Sequence, residues 1–323
     1  MVSVRAPLRI SLGGGGTDLP SHYRHHSGFV VSAAIDLHVR VRVAASSTPG
    51  LRLDHLEHEE VGEASEVAHP ILRAALQRHW DGSPLDLTSG GDVPPGTGLG
   101  SSGAYTVAVV DALERLRGTV LGPGALAEAG CDIELGDLGR TVGKQDQYAA
   151  AFGGVNALEF HPDGTVHVQP LAVGPAVRRA IDERFLLFAA GSERSAADIL
   201  ATQVQRTMAG DENLCRNLRR TGALARDAAA ALKADDPDAM AALMDEQWSL
   251  KRERLATVPM TAVVELRERA LRAGASGAML VGAGGGGFLL ACAPDPEPVR
   301  AAMVAAGAPE LRFGLEERGS RVE

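Results

Sequence analysis

The amino-acid sequence predicts an α+β fold built from two domains, residues 1–175 and 176–323. Three observations carry this prediction. The first half opens with strand patterns, the second half opens with a long helical region and ends in short strands, and a glycine-rich run interrupts each half. With 323 residues and 45% hydrophobic content, the chain is long enough to bury two cores.

The first half contains both strand and helix patterns. Residues 2–12 and 29–43 are rich in β-formers and partly alternate, which predicts two paired strands. The glycine- and proline-rich residues 90–100 predict a loop, and residues 101–116, apolar around most of a helical circumference, predict a buried helix. The other predicted elements are a helix over 67–80, a strand over 85–88, two short helices between 125 and 151, and a hairpin of 155–160 with 165–168.

The second half is predicted to be mainly helical. After an extended segment at 185–189, residues 196–254 are rich in Ala, Arg and Leu and predict helices broken near Gly210 and Pro237. A helix over 260–273 follows. Residues 278–281 and 287–291 predict strands on either side of the second glycine run.

Composition argues against several classes of function. The net charge of −9 disfavours nucleic-acid binding, which needs a basic stripe to displace counterions. No run of about 18 apolar residues and no signal-peptide pattern is found, so we expect no membrane partner and a cytoplasmic location. The sequence does not decide whether the protein forms a homodimer. Residues 54–58 (DHLEH) imitate a metal site, but their strand–turn context favours a solvated loop.

The most informative stretch is PPGTGLGSSG, residues 94–103. Glycines let the main chain approach a diphosphate, and a helix that begins just after them aims free N–H groups and its positive dipole end at the anion. One serine hydroxyl would cap the helix and the other would reach a magnesium ion. The predicted phosphate-binding residues are Pro95, Gly96, Gly98, Leu99, Gly100, Ser101, Ser102 and Gly103.

Two other phosphate-binding motifs fit poorly. GxxxxGK[ST] does not occur, so the chain is not a P-loop NTPase of the usual type. Gly98, Gly100 and Gly103 match GxGxxG, but a long loop separates them from the preceding strand. In addition, no second strand ends in an acid about twenty residues later, which disfavours a Rossmann domain.

Three motifs, in order along nearly the whole chain, resemble those of the GHMP kinases: APLRI (6–10), the loop at 94–103 and GAGGGGF (282–288). The resemblance implies ATP and Mg²⁺ as cofactors. It also implies a ribosomal S5 domain 2-like N-terminal domain, a ferredoxin-like C-terminal domain and a site in the cleft between them. Within the family, GGGTDLP (14–20) and GKQDQY (143–148) look most like the bacterial heptose 7-phosphate kinases, which phosphorylate the anomeric hydroxyl, with the kinase half of bifunctional fucokinases also similar.

The resemblance implies a catalytic set. Asp146 matches the family's catalytic aspartate, which hydrogen-bonds or deprotonates the acceptor hydroxyl. Glu134 matches the magnesium-ligand glutamate, with Ser102 preferred to Ser101 as its partner. Arg9 matches a basic residue beside the aspartate, where a fixed cation lowers the carboxyl pKa. Taken alone, Asp146 also suits a helix cap, and Glu134 and Arg9 suit surface charges.

The acceptor is expected at a second group of residues. Asp18 and Thr17 fall where relatives hold sugar hydroxyls, and a carboxylate accepts well from two neighbouring hydroxyls. Lys144, placed with the catalytic residues, and Arg194 are candidates for binding a substrate phosphate. The remaining predicted acceptor residues are Gly15, Gly16, His22, Gly285 and Gly286.

Two departures from the heptose-kinase pattern leave the acceptor open. Met279 stands where a lysine is usual, and Val264 stands near a usual acidic residue. The acceptor is therefore a heptose phosphate, another sugar phosphate or an unphosphorylated sugar. A kinase of mevalonate, diphosphomevalonate or homoserine and a non-catalytic sensor of a sugar and ATP are the alternatives.

Overall fold

The structure is a computed structural model that describes residues 1–192, 196–256, 258 and 260–323. Its larger sheet is organised by the 18-residue strand β2. Strand β1 runs antiparallel along one edge of β2, and β5 and β6 share the other edge. The strands of this sheet are β1 (Val2–Gly13), β2 (Gly28–Ala45), β3 (Leu51–Asp54), β4 (His58–Val61), β5 (Leu85–Gly91), β6 (Val155–Phe160), β7 (Val166–Pro170) and, from the end of the chain, β12 (Arg321–Val322).

Helices of the first half cover this sheet. The most buried is α3, whose apolar side chains pack on β1 and β2, as its sequence pattern predicts. A π-helical segment, Asp132–Asp137, continues α4 and precedes the loop that leads to α5. These helices are α1 (Pro20–His26), α2 (Pro70–His79), α3 (Ser101–Leu116), α4 (Pro123–Cys131) and α5 (Gln145–Phe152).

The second half forms an antiparallel sheet in the order β11–β8–β10–β9 with helices between its strands. This strand order is that of the ferredoxin-like fold and confirms the predicted two-domain α+β class. The elements are α6 (Pro175–Glu183), β8 (Phe185–Ser192), α7 (Ala196–Met208), α8 (Glu212–Lys233), α9 (Pro237–Arg254), α10 (Thr261–Arg272), β9 (Gly277–Leu280), β10 (Gly286–Cys292), α11 (Pro296–Ala305) and β11 (Glu310–Leu311). None of the helices formed by the described residues has the length and apolar character needed to span a membrane.

Most of the predicted elements are confirmed, including α3 over its full length and the helix breaks near Gly210 and Pro237. The sequence patterns missed α1, the β3–β4 hairpin, α6 and α11. Those three helices have ten residues or fewer and each begins at a proline. So short an amphipathic pattern is easily taken for a loop, although proline at the first position is a common helix start.

The last residues of the chain return to the larger sheet, which the sequence did not indicate. Val322 pairs with Val4 of β1, and the Glu316 N–H donates to the carbonyl of Ala34. Burial tends to raise the pKa of the Glu316 carboxyl, but hydrogen bonds from the Arg318 N–H and the side chains of Arg321 and His38 lower that pKa to about 2. We therefore propose that the domain predicted as residues 1–175 also includes this terminal segment.

We expect Glu316→Gln to lower the free energy of unfolding by about 1–2 kcal/mol at pH 7. Because folding lowers the pKa of this carboxyl, its stabilisation is complete above the ordinary value of 4.5 and is lost as the pH falls toward about 2. The difference between wild type and variant in thermal melts should therefore shrink below pH 4.5. Glu317→Gln, which changes an exposed ion pair with Arg178, is the control. Equal melting temperatures at pH 7 would contradict this account.

Candidate active site

A cavity of about 970 Å³ is lined by residues of both halves of the chain. The first half contributes β1, the bend before α3 and the start of α5, and the second half contributes α7, α9 and the loop after β9. A volume of this size is at the upper end for small-molecule sites. It is sufficient for two ligands lying side by side.

The bend Gly96–Gly103 forms one wall of the cavity. Gly96, Gly98 and Gly100 have φ angles of 80°, 81° and 78°, a conformation that other residues adopt only under strain. Helix α3 begins directly after them at Ser101, and the first N–H groups of a helix have no carbonyl partner within it. These N–H groups and the helix dipole provide a binding site for an anion.

Arg9 joins this bend to Asp146. Its Nε and one terminal nitrogen lie 2.8 and 2.7 Å from Asp146 Oδ1, and its other terminal nitrogen donates to the carbonyl of Gly98 at 2.6 Å. The Arg9 N–H also donates to the carbonyl of Leu99 at 3.0 Å. The guanidinium is buried, and the Asp146 carboxylate is partly exposed to the cavity. The predicted neighbours therefore lie in contact, held by charge-assisted bonds.

The glycines of the bend also make room for Asp146. A Cβ at Gly103 would lie 2.6 Å from Asp146 Cβ, and a Cβ at Gly100 would lie 3.3 Å from Asp146 Cγ. Leu99 does not line the cavity and is fully buried. Glycine at positions 100 and 103 therefore allows close packing of α5 as well as the approach of a ligand to the main chain.

The second glycine run lies against the outer side of the bend. A Cβ at Gly282 would meet Gly98 Cα at 2.7 Å, and a Cβ at Gly287 would meet the carbonyl oxygen of Thr97 at 2.2 Å. Gly282 and Ala283 line the cavity, whereas Gly285 and Gly286, predicted at the substrate, do not. The cavity lining therefore does not favour the predicted substrate contacts of Gly285 and Gly286, and Gly286 is already the first residue of β10.

Glu134 is almost completely buried and lies next to Ser102. The Ser102 hydroxyl donates to Glu134 Oε2 at 2.6 Å, while Thr106 and Gln147 donate to Oε1 at 3.1 and 2.8 Å. One terminal nitrogen of Arg140 lies 2.8 Å from both Ser102 Oγ and Glu134 Oε2. A cationic group thus contacts both this carboxylate and this hydroxyl, and Arg140 and Ser102 line the cavity whereas Glu134 does not.

Asp18 lines the cavity with Gly15 and Gly16 and is 2% exposed. Burial, and then the charge of Asp146, raise the pKa of the Asp18 carboxyl; hydrogen bonds from the N–H groups of Gln145 and Gly16 oppose this. Thr17, predicted beside it, does not contact the cavity. Its hydroxyl donates to the carbonyl of Gly14 at 2.8 Å and so shapes the loop instead.

The geometry does not favour the predicted substrate contacts of Lys144 and His22. The Lys144 ammonium binds both carboxylate oxygens of Glu128 and the carbonyl of Gly164, each at 2.9 Å, and the residue does not line the cavity. Side chains two positions apart on a helix point about 200° apart, so a cavity-facing Asp146 turns residue 144 away. His22 is buried outside the cavity lining, and Arg194 lies outside the described residues.

Two basic residues of α9 line the cavity and were missed. The Lys251 ammonium donates to the carbonyls of Leu280 and Gly282 at 2.6 and 2.8 Å, and Arg254 donates to the carbonyl of Gly15 at 3.3 Å. Lys251 is one of three lysines in the chain, which was a usable signal. Arg254 is one of many arginines, and nothing in its sequence context distinguishes it.

An aromatic end of the cavity was also missed. His55, His69 and Tyr105 line it, with ring centroids 5.4 Å apart for the first pair and 5.2 Å for the second. The His55 side chain is only 6% exposed, and its Nε2 lies 2.6 Å from Glu59. The expectation of a solvated loop is therefore wrong for His55. Aromatic rings beside a phosphate-binding bend suit a planar nucleobase.

The fold and the site define a phosphotransferase with an alcohol acceptor. The model for the GHMP kinases N terminal domain matches residues 64–154, and that for the GHMP kinases C terminal matches residues 228–308, together just over half of the chain. The chain belongs to the GHMP kinase family. Members of this family use ATP as the phosphate donor.

The individual relatives are also kinases. The chain is 29% identical over 305 residues to the D-glycero-alpha-D-manno-heptose 7-phosphate kinase of Campylobacter jejuni, covering 89% of this chain and 88% of the relative. It is 27% identical over 295 residues to a mevalonate kinase of Methanothermobacter thermautotrophicus, covering 90% of each. A solved D-glycero-D-manno-heptose 1-phosphate kinase from Bacteroides thetaiotaomicron superposes with a TM-score of 0.83 at 22% identity, over 100% of this chain and 99% of that one.

We expect Gly103→Ala to lower kcat by about 100-fold, because the new methyl group displaces Asp146 and misplacement by about 1 Å can cost that much. Gly124→Ala is the matched control, since a Cβ there meets nothing within 4 Å in the described part of the chain. Steady-state kinetics and thermal melts of both variants make the comparison. Unchanged turnover in Gly103→Ala would show that the close packing of α3 on α5 is not required.

Proposed function

We propose that this protein transfers the γ-phosphoryl group of ATP to the anomeric hydroxyl of a sugar phosphate, with a heptose 7-phosphate as the best candidate. The observation that carries the proposal is the contact of Arg9 with both Asp146 and the bend, in a cavity that also contains Asp18. The heptose 7-phosphate kinase that is 29% identical to this chain supports the choice of acceptor.

The bend and Asp146 have separate roles in the proposed reaction. Main-chain N–H groups of Gly96–Gly103 hold the nucleotide phosphates at the start of α3. The Asp146 carboxylate accepts the proton of the attacking hydroxyl, while the Arg9 guanidinium fixes the position of this carboxylate. Because phosphoryl transfer has a loose transition state, alignment and positive charge provide most of the catalysis.

Mg²⁺ would be held by Ser102 and Glu134. A carboxylate and a hydroxyl are oxygen ligands of the type this ion prefers, and the contact of the Arg140 guanidinium with both groups supports this role. When bound, Mg²⁺ neutralises charge on the nucleotide phosphates. Thr106 and Gln147 hold the other carboxylate oxygen of Glu134 and so orient it toward Ser102.

Asp18 would accept hydrogen bonds from sugar hydroxyls, and the N–H groups of Gly16 and Gln145 hold its carboxylate in place.

The main alternative function is that of a kinase of mevalonate type, and the similarity of the chain to a mevalonate kinase supports this alternative. A non-catalytic sensor would not require Asp146, Glu134 and Ser102 together. The cytoplasmic location stays a prediction, and a homodimer stays a possibility that no observation tests.

The test of this proposal is ADP release with a panel of acceptors: heptose 7-phosphates, fucose, galactose, mevalonate and homoserine, each with Mg²⁺ and with EDTA. We expect Mg²⁺-dependent turnover to be highest with a heptose 7-phosphate. NMR of the product should place the new phosphate on the anomeric carbon. Highest turnover with mevalonate or homoserine, or none with any sugar, would refute the proposal.

We expect Asp146→Asn to lower kcat by about 10²–10⁴-fold, because the amide cannot accept the hydroxyl proton. The affinity for ATP should stay within about threefold of wild type, since this side chain faces the acceptor. Asp182→Asn, at an exposed position on α6, is the control. An equal loss of ATP affinity would show that Asp146 acts on the nucleotide rather than on the acceptor.

A further inference from the structure

Two cationic side chains of the cavity have no ion-pair partner among the described residues. Arg9 also lies there, but its charge is balanced by Asp146 at 2.7 Å. For Lys251 and Arg254, no acidic group of the described residues lies within the 4 Å of an ion pair. Their hydrogen bonds go instead to neutral oxygens: the Leu280, Gly282 and Gly15 carbonyls, the Asn217 amide and the Thr221 hydroxyl.

Both side chains belong to the same surface of α9. They are three residues apart, a spacing that places side chains on one face of a helix, and both line the cavity. The carbonyls of Leu280 and Gly282 accept two of the three ammonium hydrogens of Lys251, which leaves one donor for a ligand. Arg254 is 8% exposed and donates to the carbonyl of Gly15. Gly15 belongs to the loop of residues 14–19 that contains Asp18, which we call the acceptor loop.

Burial of these charges without a counterion is unfavourable. Burial, together with the positive charges of Arg254 and Arg9, lowers the pKa of the Lys251 ammonium to about 7. Burial likewise lowers the pKa of Arg254 to about 10, although the charge of Asp18 opposes the shift. An anion placed between the two side chains would relieve both effects.

We propose that Lys251 and Arg254 form a subsite that binds the phosphate group already present on the acceptor. This inference rests on the proposed function and assigns the residues that bind the phosphate of its acceptor. An unphosphorylated sugar lacks the group that this subsite binds, so the subsite favours charged acceptors over neutral ones. The subsite also places a cation beside Met279, where the family resemblance led us to expect a lysine, since the Lys251 ammonium binds the carbonyl of the next residue, Leu280.

The contacts of Arg254 favour the acceptor over the nucleotide, while Lys251 lies beside the glycine run that packs on the bend. Arg254 contacts Gly15, and Gln203 of α7 donates to the carbonyl of Gly16 at 3.2 Å, so the helices of the second half surround the acceptor loop. The nucleotide phosphates have their own partners in the N–H groups of the bend and the Ser102–Glu134 pair. A separate pair of cations therefore suits a separate phosphate.

The test compares Lys251→Met with wild type on two acceptors, D-glycero-D-manno-heptose 7-phosphate and the same heptose without its phosphate. We expect kcat/KM for the phosphorylated sugar to fall by about 10–100-fold, mainly through KM, because a charge-assisted hydrogen bond is lost. With the unphosphorylated sugar, kcat/KM should change by less than about threefold, and KM for ATP should not change. Lys251→Arg should recover most of the loss, and Lys233→Met, at an exposed lysine, is the control.

An equal loss with both acceptors, or a raised KM for ATP, would overturn the inference, because Lys251 would then act on the nucleotide or on folding. Arg254→Lys provides a second variant that keeps the charge while losing the planar hydrogen-bonding group, and it should raise KM for the phosphorylated sugar selectively. Failure of the proposed function is distinguishable: it would appear in wild type, as absence of ADP release with every sugar. Failure of the subsite would appear in the variants alone.

Discussion

The position of one guanidinium organises this site. Arg9 lies on β1, yet its side chain contacts Asp146 at the start of α5 and the carbonyl of Gly98 in the bend. A strand, a loop and a helix that are far apart in the sequence therefore meet at one buried charge. Because a buried cation needs a partner, the ion pair and the close packing of Gly100 and Gly103 depend on each other. The contacts of Arg9 hold the proposed base and the proposed phosphate site in a fixed relation, as electrostatic catalysis requires.

The second half of the chain completes the site in two ways. Its glycine run packs on the bend through Gly282 and Gly287, main chain against main chain, so the bend is supported from both sides. Its helix α9 brings Lys251 and Arg254 to the cavity opposite the loop of Asp18. In our proposal, the first half provides the groups for phosphoryl transfer, and the second half selects the acceptor by its charge.

Local sequence was sufficient to predict the bend, α3 and the two-domain class, because glycine spacing and helical periodicity are local properties. The resemblance to the family led us to four residues that form two contacting pairs. Arg9 contacts Asp146, and Ser102 contacts Glu134. The directions of single side chains were harder to predict. Lys144 is two positions from Asp146 and points to Glu128 instead, while Thr17 turns inward to its own loop. The rarity of lysine was a usable signal for Lys251, but Arg254 could not be assigned, because only the packing of α9 beside Gly15 brings it to the cavity.

The central claim is that the Gly96–Gly103 bend holds the nucleotide phosphates while Asp146 faces the acceptor hydroxyl. A crystal structure with Mg²⁺, a non-hydrolysable ATP analogue and the sugar acceptor tests it most directly. The account predicts β- and γ-phosphate oxygens within hydrogen-bonding distance of the N–H groups of the bend, and the acceptor hydroxyl about 3 Å from an Asp146 oxygen, in line with the γ-phosphorus. Phosphates bound away from the bend, or an acceptor hydroxyl beyond the reach of Asp146, would contradict it.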